Sequence, residues 1–167
     1  MNYLQVSCPH CSGEVQFDPT EVHCGIVRHA VFKNNAEPLH PHAPVQHSSD
    51  VVAALLPRLR DATREHFFAL ALDVKNRPIA EILVAVGSLS ACTVSPADVF
   101  RLVLKEPAAG VIFVHNHPSG EPTPSADDVS VTDRLQKAGA LLGVKVLDHV
   151  ILGYDTHFSF LDAGMLK

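Results

Sequence analysis

The segment Gly110-Val111-Ile112-Phe113-Val114 constrains the fold most, because it is apolar without any polar alternation and ends abruptly at His115. A strand of this kind is covered on both faces, which calls for helices on each side of a sheet. The flanking sequence supplies them. Residues 49–65 have helical apolar spacing, with Ser48 or Ser49 as N-cap and Pro57 as a kink or break. FFALALDV reads as a strand, KNRP as a turn, IAEILVAVGS as a second strand and SACTVS as a third. Ser95, Pro96 and Asp98 open a helix that runs to about Glu106. A long helix follows from Ser125 to Leu142, with Val131, Leu135, Ala138 and Leu142 on its apolar face. KVLDHVILG and HFSF close the chain as strands. The alternation predicts an α/β domain over residues 49–167, with helices packed on a mixed central sheet.

Residues 1–48 are different. Six of the 11 histidines and three of the four cysteines lie in the first 47 residues. Residues 34–48 carry three prolines and read as a linker. Cys8 and Cys11 form a C-x-x-C knuckle, followed by Cys24 and His29, with His40, His42 and His47 beyond. A segment with so few apolar side chains cannot build its own core, so a structural zinc ion is expected, held by Cys8, Cys11 and Cys24 with at least one of His29 and His42. The fourth ligand stays open, as does a second site; the bland reading is an unstructured tail with incidental Cys and His. No run approaches the ~20 apolar residues of a membrane span, and MNYLQVSCPHC does not have the plan of a secretory signal. The expected location is therefore the cytoplasm, where clustered cysteines bind metal rather than form disulfides. The net charge of -5 argues against broad nucleic-acid binding.

The chemistry concentrates in residues 115–128, HNHPSGEPTPSADD. His115 ends the buried strand and His117 follows two residues later, so in extended chain both imidazoles face one point. Pro118, Pro122 and Pro124 stiffen the loop, and Asp128 lies in the first turn of the next helix. Two imidazoles and one carboxylate leave a fourth zinc position open, as a catalytic site requires. The bland reading is that Ser125-x-x-Asp128 is only a capping box. Two other readings fail on spacing. The letters HNH do not make an HNH nuclease, whose residues are spread over a ββα unit. A nucleobase deaminase needs H-x-E with P-C-x-x-C, and no such Cys pair lies downstream. Asp148 and His149, in the strand LDHVILG, are assigned to core or supporting roles, and Cys92 to the core.

This segment resembles the JAMM (MPN+ or JAB) metalloprotease motif, in which an upstream Glu joins H-x-H-P and S-x-x-D. More narrowly, HNHPSG, PSADD followed by Thr132, and LDHVILG resemble the RadC-like branch, over about residues 50–167. The resemblance implies a three-layer α/β sandwich related to cytidine deaminases. It places His115, His117 and Asp128 on the zinc ligands and Ser125 on the residue that stabilises the tetrahedral intermediate. The upstream Glu falls on Glu65, with Glu81 as competitor, and acts as general base. The implied activity is that of a zinc metalloprotease, a hydrolase of peptide or isopeptide bonds acting on a protein or ubiquitin-like tail. The alternative is a non-catalytic or nucleic-acid-associated module linked to DNA repair or a mobile element. Longer RadC-type chains carry a helical, DNA-binding-like segment ahead of this domain. None is read in residues 1–48, a departure that counts against an inherited repair role.

Overall fold

The computed structural model describes residues 43–87 and 94–166, together with three short N-terminal strands. Those are β1 (Leu4–Ser7), β2 (Glu14–Phe17) and β3 (Ala30–Phe32). The rest comprises α1 (Ser48–Leu59), β4 (Glu65–Leu72), β5 (Pro78–Gly87), α2 (Pro96–Val103), β6 (Gly110–Asn116), α3 (Ala126–Leu142), β7 (Lys145–Leu152) and β8 (His157–Ser159). Strands β5-β4-β6-β7-β8 form a mixed sheet, in which only β6 and β7 run parallel, and β1–β3 extend it beyond β5. Cys8, Cys11, Cys24, His29 and His42, the expected structural zinc ligands, lie outside the described residues, as do Cys92 and most of SACTVS.

Helices cover both faces of the sheet. On one face Val51, Leu55 and Leu59 of α1 pack with Phe68, Leu70, Leu72, Ile112, Val114, Val150 and Leu152. On the other, α2 and α3 pack over Phe67, Ala69, Val111, Phe113 and Val146. The alternation along β4 and β6 thus divides two cores, and every residue of β6 is buried. Full burial of a side chain such as Leu55 or Phe113 contributes about 1.5–3 kcal/mol.

Helix ends depart from expectation for local reasons. The N-cap of α1 is His47 rather than Ser48 or Ser49. Asp50, three residues on, accepts from the backbone N–H of Gln46 and His47 at 2.9 and 3.0 Å, closing the helix start from inside. The helix stops at Leu59 instead of continuing to residue 65. Pro57 has no N–H to bond the carbonyl of Ala53, and the last apolar contact, Leu59, has then been made. Helix α2 ends at Val103, three residues early, because Lys105 and Glu106 donate to carbonyls only three residues back and tighten the chain into a turn before Pro107. In α3 the buried face is Val131, Leu135 and Gly139, with Leu142 half-exposed. Gly139 is needed there because a Cβ would sit 2.5 Å from the Val144 carbonyl oxygen.

Candidate metal centre

His115 and His117 stand at the carboxyl end of β6, beside the crossover through α3 to the parallel strand β7. The carboxyl ends of parallel strands are where open α/β sheets place their ligands. The loop between β6 and α3 is fastened on three sides. His117 N donates to the Leu152 carbonyl at 2.9 Å, Gly120 N to the His117 carbonyl at 2.9 Å, and the Tyr154 hydroxyl to the Pro118 carbonyl at 2.9 Å. Gly120 has φ +81°, and a Cβ there would strike the ring of Tyr154.

The three expected ligands converge. His115 Nε2 lies 3.0 Å from His117 Nε2, and Asp128 oxygens lie 3.2 Å from the former and 3.5 Å from the latter. Among the described residues, His115, His117 and Asp128 are the group whose ligand atoms could hold a metal ion. Tetrahedral coordination with bonds of about 2.0–2.2 Å separates ligand atoms by roughly 3.3–3.6 Å, close to this spacing.

The hydrogen-bond directions also fit a cation. His117 Nδ1 lies 2.7 Å from the Glu121 carbonyl oxygen, which can only accept, so Nδ1 carries the proton and Nε2 offers a lone pair. Asp128 Oδ2 accepts from Ser125 N and Ser125 Oγ at 2.7 and 2.6 Å. Asp128 Oδ1 is buried without a hydrogen-bond partner, although His115 Nε2 is only 3.2 Å away. A carboxylate oxygen orphaned beside two converging imidazole nitrogens is an arrangement that a positive ion satisfies. Burial raises Asp128, but the His115 and His117 rings beside it and the Ser125 bond override this and hold it far below the usual carboxylate range. Burial lowers His115, while the neighbouring Asp128 carboxylate raises the more exposed His117. Asp128 is therefore anionic throughout the physiological range.

Ser125 is both the hydrogen-bond partner of Asp128 and the N-cap of α3. Its Oγ accepts from Asp128 N at 3.1 Å while Ser125 N donates to the Asp128 side chain, a full capping box. Capping and site formation are thus one structure.

The two candidate bases part on the sheet's two faces. Glu81 pairs with Leu70 on the α1 face, and Arg58 of α1 grips its carboxylate with two bonds of 2.7 and 2.8 Å. Glu65 opens β4 two residues before Phe67, which pairs with His115. It therefore shares the face of the two histidines, where its charge opposes the lowering of His115 by burial and adds to the rise at His117. Glu65, Thr63, Arg64, Gly87 and Pro118 line a cleft of ≈ 380 Å³ beside the site.

The sequence reading missed Asn116 and gave His149 a core or supporting role without naming its partner. Asn116, between the two histidines, points to the other side and binds the backbone around Glu65: its Oδ1 accepts from His66 N at 2.8 Å, and its Nδ2 donates to the Arg64 carbonyl at 3.0 Å. His149 touches the site from β7, its Nε2 2.8 Å from His115 Nδ1, and Thr132 of α3 lies 2.6 Å from His149 Nδ1. The strand LDHVILG was the only sequence signal for His149, and it gave no partner. Asp148 points away, accepting from Ser159 Oγ, Leu161 N and His149 N.

Comparison with known proteins agrees with this geometry. A UPF0758 protein of Syntrophotalea carbinolica is 49% identical over 129 residues, covering 77% of this chain and 57% of that protein. A UPF0758 protein of Methanosarcina mazei is 42% identical over 127 residues, covering 76% of this chain and 56% of the relative. The chain thus spans little more than half the length of these relatives. The RadC-like JAB domain matches residues 45–165, which takes in every element from α1 to β8, and the chain belongs to the RadC-like JAB domain family.

Proposed function

We propose that the chain is a zinc-dependent metallopeptidase that hydrolyses a peptide or isopeptide bond. The observation that carries this reading is the orphaned Asp128 Oδ1 beside the two imidazole lone pairs, with Glu65 on the same face of the sheet. His115, His117 and Asp128 would hold the metal. When bound, zinc supplies Lewis acidity, which activates water at neutral pH and polarises a scissile carbonyl. Glu65 accepts the proton of the attacking water and delivers it to the leaving amine. Ser125, whose single hydroxyl proton is donated to Asp128 Oδ2 in this structure, would turn it to the oxyanion that forms. Asp128, held ionised, is committed to the metal position and leaves Glu65 to move the proton.

The charge distribution favours a protein substrate over a polyanion. The segment from His115 to Asp128 contains no Lys or Arg and has Glu121, Asp127 and Asp128. Lys145 pairs with Gly110 at the opposite end of β6 from His115, and Arg101 lies by Asp98. Arg64 lines the cleft that contains Glu65. An extended protein tail or a ubiquitin-like carboxyl-terminal tail suits a cleft that contains Glu65 and lies beside His117.

The test uses zinc-loaded protein with ubiquitin-like fusion substrates and, separately, with single-stranded and duplex DNA. The expected result is peptide-bond cleavage that is lost on chelation and in Glu65→Gln, while Glu65→Gln retains its zinc. Zinc-dependent nuclease activity that disappears in His115→Ala would overturn the reading in favour of a nucleic-acid function.

A further inference from the structure

We propose that His149 and Thr132 are positioning residues that set the ligating tautomer of His115 through one directed hydrogen-bond chain running back to Asp128. The proposal rests on the metal site above and deepens it. The direction follows link by link. Thr132 Oγ1 has a single proton and lies 2.6 Å from the Asp128 carbonyl oxygen, which can only accept, so the hydroxyl donates there. The 2.6 Å contact between Thr132 Oγ1 and His149 Nδ1 must then be donated by His149. His149 is fully buried, and no carboxylate bonds either ring nitrogen, so the ring is neutral and its Nε2 is a lone pair. The 2.8 Å contact between that Nε2 and His115 Nδ1 is therefore donated by His115. His115 Nε2 is left as a lone pair, aimed at the point it shares with His117 and Asp128.

The chain begins at one ligand and ends on the main chain of another. Its reverse is also chemically complete: Thr132 donating to His149 Nδ1 and His149 Nε2 donating to His115 Nδ1 would place a proton on His115 Nε2, where no metal can bind. Thr132 selects between the two directions, because the Asp128 carbonyl draws its proton away from His149. Without that hydroxyl, His149 has no acceptor at Nδ1 and is free to turn its proton towards His115. Thr132 thus affects the metal from a place where it touches none of the ligating atoms. Packing alone does not account for His149. Its ring stacks on Phe160 at 5.1 Å and meets Phe67 edge-on at 5.5 Å, contacts that a phenyl ring would make equally well.

The experiment measures zinc affinity by competition with a chromophoric chelator, and the imidazole protons by nitrogen-15 NMR of the zinc-loaded protein. Wild type is expected to bind zinc, with protons on Nδ1 of both His115 and His149. Thr132→Val, nearly isosteric, is expected to weaken zinc binding roughly 10–100-fold, as loss of outer hydrogen-bond partners does at other sites. His149→Phe should lose a similar factor, and the double variant no more than either single. Thr132→Ser and His149→Gln, which restore a hydroxyl and an acceptor, should recover most of the affinity. Wild-type affinity in Thr132→Val, or a proton on His149 Nε2 in the zinc-loaded protein, overturns the proposal while leaving the metal site intact. A wild-type protein that binds no zinc overturns the metal site itself, and this inference with it.

Discussion

Asn116 holds the backbone on both sides of Glu65: the one carboxamide accepts from His66 N and donates to the Arg64 carbonyl, spanning the peptide units that flank the glutamate. Asn116 is 2% exposed and sits between His115 and His117, so the strand that presents the histidines also anchors the start of β4. Replacing it with Ala leaves those two backbone groups without their partners, at a cost of about 1–3 kcal/mol. On the proposed mechanism Glu65 would lose its registration with the histidines, and an error of about 1 Å can lower a rate about 10²-fold. The expected outcome for Asn116→Ala is a lower kcat with zinc content unchanged. Full activity in a folded Asn116→Ala protein would show that Glu65 does not depend on this clamp.

Metal binding should be visible as stability. An ion that binds only the folded chain, at 100 times its dissociation constant, adds about 2.7 kcal/mol. For a chain of this size that is a rise in Tm of about 5–11 °C. Zinc should produce this shift in wild type and a chelator should reverse it. His117→Ala, altering a side chain that is only partly buried, should fold and show little response to zinc. Equal zinc-induced shifts in both proteins would remove His117 from the ligand set.

Asp148 gives a pH dependence separate from the metal. Burial raises its carboxyl above the usual range, against the hydrogen bonds of Ser159, Leu161 and His149. A raised carboxyl is protonated in the folded state at a pH where the unfolded chain has already ionised. Stability from this group is thus present in full below the ordinary aspartate pKa and falls as the pH rises through the raised value. Asn at this position is isosteric, and its oxygen can still accept from Leu161 N and His149 N. The stability of Asp148→Asn relative to wild type should therefore improve as pH rises through the weakly acidic range. Parallel unfolding curves across that range would contradict the assignment.

The features legible in the sequence were those written into neighbouring residues. The central position of β6 follows from its unbroken apolar run, and the shared face of His115 and His117 from strand alternation. Ser125 and Asp128 carry the local signature of a helix start, and the structure makes that same capping box part of the candidate metal site. The missing features depend on pairings distant in the chain. His149 meets His115 only because β7 lies parallel beside β6, with Phe113 opposite His149. Thr132 comes within reach only when α3 packs over both. Pro57 was read as a kink or break within residues 49–65, and the helix passes it by two residues to end at Leu59, where its core contacts are complete. Glu65 and Glu81 stand on similar apolar strands in the sequence, and only the register of β4 with β5 and β6 assigns them to opposite faces.

Ser125 carries two roles that a single substitution confounds, and a pair of substitutions separates them. As N-cap it receives Asp128 N at 3.1 Å, and its own hydroxyl donates to Asp128 Oδ2 at 2.6 Å. Ser125→Ala removes both, lowering stability by about 1 kcal/mol through the lost cap. Ser125→Gly also removes the hydroxyl, yet glycine is an acceptable N-cap and costs only a few tenths of a kcal/mol there. If the hydroxyl serves the oxyanion, both variants lose about 10²–10³ in kcat, the effect of deleting one oxyanion donor in other hydrolases. If the residue only caps α3, the rates follow stability, and Ser125→Gly stays near wild type. The expected result is that the two variants differ in Tm but share the same large loss of kcat, with zinc still bound in each through His115, His117 and Asp128. A Ser125→Gly protein with wild-type turnover would restrict Ser125 to capping and leave the oxyanion to the metal alone.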